Sequence, residues 1–175
     1  MSSNAFSKNQ IYKVNGVFMV GDTKIPLNTR AIVAKGGKNP HIEFIVKNKA
    51  VAVAASTAFF NRYLVEATPI HDEALKDYTV KKAKYVQGEG TNQIYLELYK
   101  NGNLVATGHN NGKGEGSYLN YVDSEACSDI KTFLDETASQ CKSPKRSLMD
   151  ENFVEFLALY FNSGYCDFKT YLAVS

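Results

Sequence analysis

Short runs of apolar and β-branched residues alternate with turn-forming pairs over the first two thirds of the chain. Asn-Gly pairs at 15–16 and 101–102 separate such runs. Asn-Gly favours the two-residue hairpin turn, because both central residues of that turn take a positive φ. The clearest alternation of apolar residues with Tyr and Glu lies between 92 and 100. The pattern predicts antiparallel hairpins and a meander over 10–122.

Two stretches in this region depart from simple alternation. The run AVAVAA at 50–55 is apolar throughout, which is typical of a strand covered on both faces, so we expect it in the centre of a sheet. Aromatic and aliphatic residues then recur at helical spacing between 57 and 67 and stop before a proline. This spacing predicts one helix among the strands.

The period of the apolar residues becomes helical from 124 onward. Between 126 and 141 they follow the i, i+3, i+4, i+7 spacing of a helix with one buried face, and Ser124 can cap it. Asp150 precedes a nearly wholly apolar stretch, and the segment 165–174 repeats the helical spacing. Strands first and helices afterwards favour an α+β fold, with two or three C-terminal helices covering the sheet.

A length of 175 residues suits one ordinary domain. We expect a disordered N-terminus over 1–9 and a single α+β domain over 10–175. That domain is predicted to be β-rich over 10–122 and helical over 123–175, since the helical part is too short for a core of its own.

Charge and composition exclude some classes of function. Twenty Lys and Arg against eighteen Asp and Glu give a net charge of +2, which supplies no general attraction to nucleic acid or membrane. All but three of the basic residues are lysine, and lysine lacks the planar fork with which arginine reads base edges. The abundance of Lys, Asn, Tyr and Phe is typical of an AT-rich genome, such as that of many bacteria, parasites or bacteriophages.

Signals for export and for disulfide chemistry are weak. The first ten residues lack the apolar run of a signal peptide, and no run approaches the roughly 18 apolar residues of a membrane span. Three widely spaced cysteines do not suggest a disulfide framework. We therefore expect a cytoplasmic protein with reduced cysteines and no membrane contact.

The glycine-rich stretch GHNNGKGEGSYLNY at 108–121 is the first candidate site. Its glycines allow close approach of a ligand, its amides can face an anion, and its lysine adds a positive charge. The spacing matches neither a Walker loop nor a dinucleotide fingerprint, so a plain polar hairpin loop is the alternative. The candidate ligand or partner residues are His109, Asn110, Asn111, Lys113 and Glu115.

Tyrosines on or beside the meander form the second candidate site. If they share the face opposite Ile94 and Leu98, they form an exposed recognition surface; otherwise they belong to the core beneath the helices. Lys82, Lys84 and Lys100 lie near them in the sequence, which suits single-stranded nucleic acid stacked on a sheet. The tyrosines concerned are Tyr95, Tyr99, Tyr118 and Tyr121.

Catalytic and metal-binding motifs are not recognisable. The three histidines lack metal-ligand spacing, and no serine or cysteine stands in a nucleophile motif. We therefore expect no metal and no cofactor, and catalysis is not favoured. The leading hypothesis is a small protein-binding or modulatory module, such as a viral accessory protein that acts on a host factor in the host cytoplasm. A nucleotide or phosphorylated small-molecule site in the loop and a nucleic-acid binder are the alternatives.

Overall fold

A computed structural model describes residues 5–47, 49–89, 92–141 and 146–174. Antiparallel strands occupy the N-terminal two thirds with a helix between them, and further helices follow, so the predicted α+β class is confirmed. The strands are β1 Ile11–Val14, β2 Phe18–Val20, β3 Thr23–Ile25, β4 Arg30–Lys35, β5 His41–Val46, β6 Lys49–Ala54, β7 Leu64–Glu66, β8 Tyr78–Val86, β9 Gln93–Lys100, β10 Asn103–Asn111 and β11 Tyr118–Tyr121. The helices are α1 Thr57–Tyr63, α2 Ser124–Gln140, α3 Arg146–Phe156 and α4 Phe168–Val174, with a 3-10 turn at Glu73–Leu75 and a π-helical turn at Leu157–Phe161.

The chain forms two compact units. The first contains the residues up to Ile70 together with Ser163–Tyr165, and the second contains His71–Asn162 with Cys166–Leu172. The expectation of a single domain over 10–175 stays a prediction. Every helix in the described parts of the chain is too short or too polar to cross a bilayer.

The first unit is built on a five-stranded antiparallel sheet. Its strand order is β6-β5-β4-β1-β7, and β2 pairs with β3 in a separate hairpin. Helix α1 begins after Ser56, whose Oγ accepts a hydrogen bond from the Phe59 N–H at 3.2 Å. This cap brings Phe60 into the core, where its ring is fully buried near Phe44 and Phe6.

The expected disordered N-terminus over 1–9 lies outside the described residues over 1–4, so that part stays a prediction, whereas Phe6 is packed against the first unit. Its side chain is 3% exposed, and its ring centroid lies 5.0 Å from that of Tyr12. The Asn9 N–H also donates to the Val33 carbonyl at 2.8 Å, so residues 5–9 are held against the first unit. A side chain at Gly36 would collide with the Phe6 carbonyl oxygen. A lone aromatic in a polar segment gives no periodic signal, which is why the sequence does not reveal this contact.

Strand β6 differs from the expectation that the run at 50–55 is central. It lies at the edge of the five-stranded sheet and is paired with β5. The alternate residues Ala50, Ala52 and Ala54 are exposed, whereas Val51 and Val53 pack partly against the core. Alanine is small and weakly apolar, so its side chain does not distinguish a covered face from an uncovered one.

The second unit contains the meander, an antiparallel sheet of order β11-β10-β9-β8. One face of this sheet carries buried aliphatic residues such as Leu96 and Leu98, and the helices supply a buried aromatic cluster around Phe153. Helix α2 is capped by Asp123, one residue before the expected Ser124, since Asp123 Oδ1 accepts the Ala126 N–H at 2.7 Å. Helix α3 begins at Arg146, earlier than the expected start after Asp150.

Candidate functional site

Four side chains lie in one row across the sheet of the second unit. Lys84 on β8 is paired with Tyr95 on β9, Tyr95 with His109 on β10, and His109 with Tyr118 on β11. Side chains of directly paired residues project from the same face of an antiparallel sheet. The Tyr95 and His109 ring centroids are 5.3 Å apart, and those of His109 and Tyr118 are 5.9 Å apart. We call Tyr95, His109 and Tyr118 the aromatic row.

A β-bulge in β10 brings His109, and with it Tyr118, into this row. Leu104 pairs with Tyr99, and without a bulge the same register would place Gly108 opposite Tyr95. The register shifts between Leu104 and Ala106, so His109 takes that place. One extra residue therefore exchanges a glycine for an imidazole between two tyrosines, as bulges commonly redirect side chains next to functional sites.

A second bulge, in β8, brings a lysine into the row. Lys81 pairs with Glu97, and an uninterrupted register would set Ala83 opposite Tyr95. The shift between Lys81 and Lys84 sets Lys84 there instead. The row of one cation and three rings thus depends on two independent irregularities of one sheet.

Glu97 fixes the tyrosines on this face. Its side chain is only 10% exposed. Oε1 accepts hydrogen bonds from Lys82 Nζ at 2.9 Å and from the Tyr95 hydroxyl at 3.1 Å, while Oε2 accepts the Tyr99 hydroxyl at 2.9 Å. Both tyrosine hydroxyls are thereby directed along the strand toward the residue between them. The three donors balance the charge of the carboxylate, and their hydrogen bonds hold the two rings in place.

The lysines of β8 surround this carboxylate. Lys82 is the residue of the bulge with a φ of 52°, a left-handed conformation that costs a non-glycine residue on the order of 1 kcal/mol. In this conformation its ammonium group reaches Glu97. Lys81 Nζ lies 4.3 Å from the centroid of the Tyr99 ring, a cation–π contact. Strand β8 therefore gives one side of the face a positive rim.

The pKa values in this group shift in the directions that the hydrogen bonds require. The bond from Lys82, followed by that from Tyr99, holds the pKa of Glu97 below its usual value. The bonds to the carboxylate raise the pKa of Tyr95 and of Tyr99, and the same carboxylate raises the pKa of Lys82. At neutral pH the group holds one carboxylate, one ammonium and two neutral phenols.

The structure separates the predicted tyrosines. Tyr95, Tyr99 and Tyr118 lie on the face opposite Ile94 and Leu98, and Tyr118 is 51% exposed. Tyr95 and Tyr99 are half-buried on that face. This position fits the recognition-surface alternative for the three tyrosines, which stays a prediction.

Two residues expected beside these tyrosines lie on the other face. Tyr121 pairs with Ala106, three residues along β11 from Tyr118, so alternation places it on the other side of the sheet. Lys100 also lies there and binds Asp129 at 2.6 Å and Glu125 at 3.3 Å. Neither belongs to the row.

The glycine-rich loop satisfies its own polar groups. Asn110 Oδ1 accepts the Gly112 N–H at 2.9 Å, and Asn111 Oδ1 accepts the Lys113 N–H at 2.8 Å. Asn111 Nδ2 also donates to Glu115 Oε2 at 2.6 Å. Two amides that the sequence offered to an anion are therefore occupied, and a carboxylate stands within the loop.

Gly116 has a packing role in this loop. A side chain at Gly116 would collide with the Glu151 carboxylate of α3. Lys113 is exposed at the tip of the loop. Of the five loop candidates, only His109 joins the aromatic row, whereas Asn110, Asn111 and Glu115 hold the loop together.

Sequence reasoning missed Glu97 and Lys81 as members of this face. The pattern Tyr-x-Glu-x-Tyr at 95–99 was a usable signal, because alternation places all three side chains on one face. Lys81 gave no such signal, since its place beside Tyr99 depends on the register between β8 and β9, which no turn in the sequence indicates. Among the described residues, no group of three His, Cys, Asp or Glu side chains is arranged to hold a metal ion.

Comparison with known proteins finds no matching family model, no similar curated protein and no similar solved structure. We define the binding face as a set of exposed and half-buried side chains on this side of the sheet together with the carboxylate beneath them, namely Lys81, Lys82, Lys84, Tyr95, Glu97, Tyr99, His109 and Tyr118.

Replacing Glu97 by glutamine is expected to lower the pKa of both Tyr95 and Tyr99, because the negative charge that opposes their ionisation is removed. Ring NMR signals followed against pH measure this directly. In Glu97→Gln the two rings should titrate at lower pH than in the wild type. Glu115→Gln is the control and should leave both titrations unchanged.

The same carboxylate sets an acid dependence. Because folding lowers the pKa of Glu97, its contribution to stability is complete at neutral pH and is lost as the pH falls through that lowered value. The Glu97→Gln variant should lack this part of the acid transition. Titrations of Tyr95 and Tyr99 that are identical in wild type and variant would show that Glu97 does not hold the rings.

Proposed function

We propose that this chain is a binding module that recognises a protein partner on the binding face and carries out no chemistry of its own. The supporting observation is the aromatic row, which two bulges assemble on the face of the sheet opposite the buried aliphatic residues. Two bulges and a lysine in the left-handed conformation cost free energy. Side chains with only a structural role could be arranged on a regular strand without this cost. Such irregularities are commonly retained where a surface must be shaped for recognition.

The rings of the binding face suit protein recognition energetically. Tyr95 and Tyr99 already have their hydroxyls bonded to Glu97, so little rotamer freedom remains to be lost on binding. Tyrosine is enriched in interfaces because it offers a large contact area with few rotatable bonds. Tyr118 and His109 extend this surface across β10 and β11.

Charge indicates the chemistry of the partner. Lys81, Lys82 and Lys84 provide three positive charges on the rim, and the one carboxylate among them, Glu97, is compensated by three donors. A complementary surface therefore combines an apolar or aromatic patch with carboxylates at one side. A module of this kind acts by occupying a surface of its partner, which fits the proposal of a viral accessory protein that modulates a host factor in the cytoplasm.

Single-stranded nucleic acid is the second candidate, because Lys84 stands in the same row as the three rings. Bases can stack on such rings while a lysine contacts the phosphate. The net charge of +2 and the scarcity of arginine weigh against it. A phosphate site in the glycine-rich loop has less support, since the side chains of Asn110 and Asn111 accept the N–H groups of Gly112 and Lys113.

The proposal can be tested by placing a photo-crosslinking residue, p-benzoylphenylalanine, at Tyr118 or at Met19. These two positions are matched in exposure, at 51% and 57%, but only Tyr118 belongs to the binding face. We expect a protein to crosslink from position 118 in lysate of the native cells or host and not from Met19. Equal crosslinking from both positions, or none from 118, would contradict the proposal, and a nuclease-sensitive product would favour the second candidate.

A further inference from the structure

Strand β6 presents an edge that nothing among the described residues pairs with. It is the last strand of the five-stranded sheet, and its register with β5 runs without interruption from His41↔Ala54 to Val46↔Lys49. An edge of this kind offers a row of backbone N–H and C=O groups to another strand. Six regular residues are enough for a further ladder.

The other edge strands of the two sheets are protected. Strand β8 carries a bulge and three lysines, β11 has four residues, and β7 has three residues with Glu66. Bulges, charges and short length are the usual means by which proteins prevent pairing at an edge. Strand β6 has no bulge and no proline, and its one charged residue is Lys49 at its beginning.

The side chains of β6 suit a second copy of the same strand. Small residues alternate along its exposed face at Ala50, Ala52 and Ala54, and the other face carries Val51 and Val53. Antiparallel pairing about a twofold axis would set alanine against alanine and valine against valine. The two copies of Lys49 would lie at opposite ends of the new ladder, so no like charges would meet.

We propose that a second copy of this chain pairs with β6 in antiparallel orientation, which joins two five-stranded sheets into one across a twofold axis. The uncharged, small-residue edge contains no group that would specify a different partner, whereas it is complementary to itself. The self-association is independent of the binding face, which lies on the sheet of the second unit.

The experiment uses the full chain with paired charges on β6. Ala50→Glu with Ala52→Glu makes one variant, and Ala50→Lys with Ala52→Lys makes the other. Both positions are exposed, so both variants should keep the circular dichroism spectrum of the wild type. In either register centred on Val51 or Ala52, the new charges of the two copies face each other directly or diagonally.

Sedimentation equilibrium measures the result. We expect a wild-type dimer, dimerisation weakened about tenfold or more in each variant alone, and recovery of a mixed dimer when the two oppositely charged variants are combined. Leu27→Glu, at a site 53% exposed, is the control and should dimerise like the wild type. A wild-type chain that stays monomeric, or a dimer that both charged variants retain at full strength, would overturn the proposal.

Discussion

A variant carrying both His109→Ser and Tyr118→Ser is expected to lose about a hundredfold in affinity for the protein that crosslinks from position 118. Truncating one well-packed aromatic at an interface typically costs about 2 kcal/mol. The two effects need not add fully, because the rings lie 5.9 Å apart and form one surface. Isothermal titration with the purified partner measures the change.

Lys113→Ala separates this account from the loop hypothesis. Lys113 lies at the tip of the glycine-rich loop, outside the aromatic row, so its removal should change the affinity less than threefold, or by about 0.5 kcal/mol. Lys113→Ala should keep the melting temperature of the wild type, since Lys113 is exposed. The double variant also removes His109, which is half-buried and whose Nε2 lies 2.9 Å from the Thr107 hydroxyl, so circular dichroism must show that it is folded before its affinity is compared. A large loss in Lys113→Ala with full affinity in the double variant would assign recognition to the loop.

Phe153→Ala is expected to lower the free energy of unfolding by about 3–5 kcal/mol. The Phe153 side chain is 1% exposed, and its ring centroid lies 5.9 Å from that of Phe133, 6.3 Å from that of Phe156 and 5.2 Å from that of Phe168. Truncation would leave a cavity among the three remaining rings. Urea denaturation followed by circular dichroism measures the loss.

Leu148→Ala is the matched control on the same helix. Leu148 is 46% exposed, so its truncation should change the free energy of unfolding by less than about 0.5 kcal/mol. If Leu148→Ala and Phe153→Ala destabilise the chain equally, the aromatic cluster of the second unit is not a packed core, and the support for the sheet behind the binding face would need revision.

The sequence predicts β9 well because one face of this strand is aliphatic and the other is polar or aromatic. The alternation from Ile94 to Tyr99 identifies the buried aliphatic face, and the Asn-Gly turn at 101–102 indicates the hairpin partner. The alternation does not show that Glu97 on the other face is also buried. The sequence does not predict the register between β9 and β10. The turn alone would set Gly108 opposite Tyr95, and no pattern in the sequence indicates the extra residue that brings His109 there.

The positions of β6 and Phe6 also could not be predicted from the sequence. The sequence indicates a strand at 50–55 and places it in the centre of a sheet, but β6 lies at the edge. Alanine is compatible with both a covered and an exposed face, so the sequence does not distinguish the two positions. Phe6 falls in a segment that the sequence predicts to be disordered, because a single aromatic residue forms no periodic pattern. Its ring is nevertheless buried beside Tyr12. Tertiary packing decides both positions.

Ring NMR during titration with the partner shows directly whether the aromatic row is the site of recognition. With 13C-labelled tyrosine and histidine rings, we expect the signals of Tyr95, His109 and Tyr118 to shift on binding. Tyr63, whose ring packs on Phe18 and Phe59 in the first unit, should keep its free position. A partner that binds while the three rings of the aromatic row stay unchanged would show that the binding face is not the site of recognition.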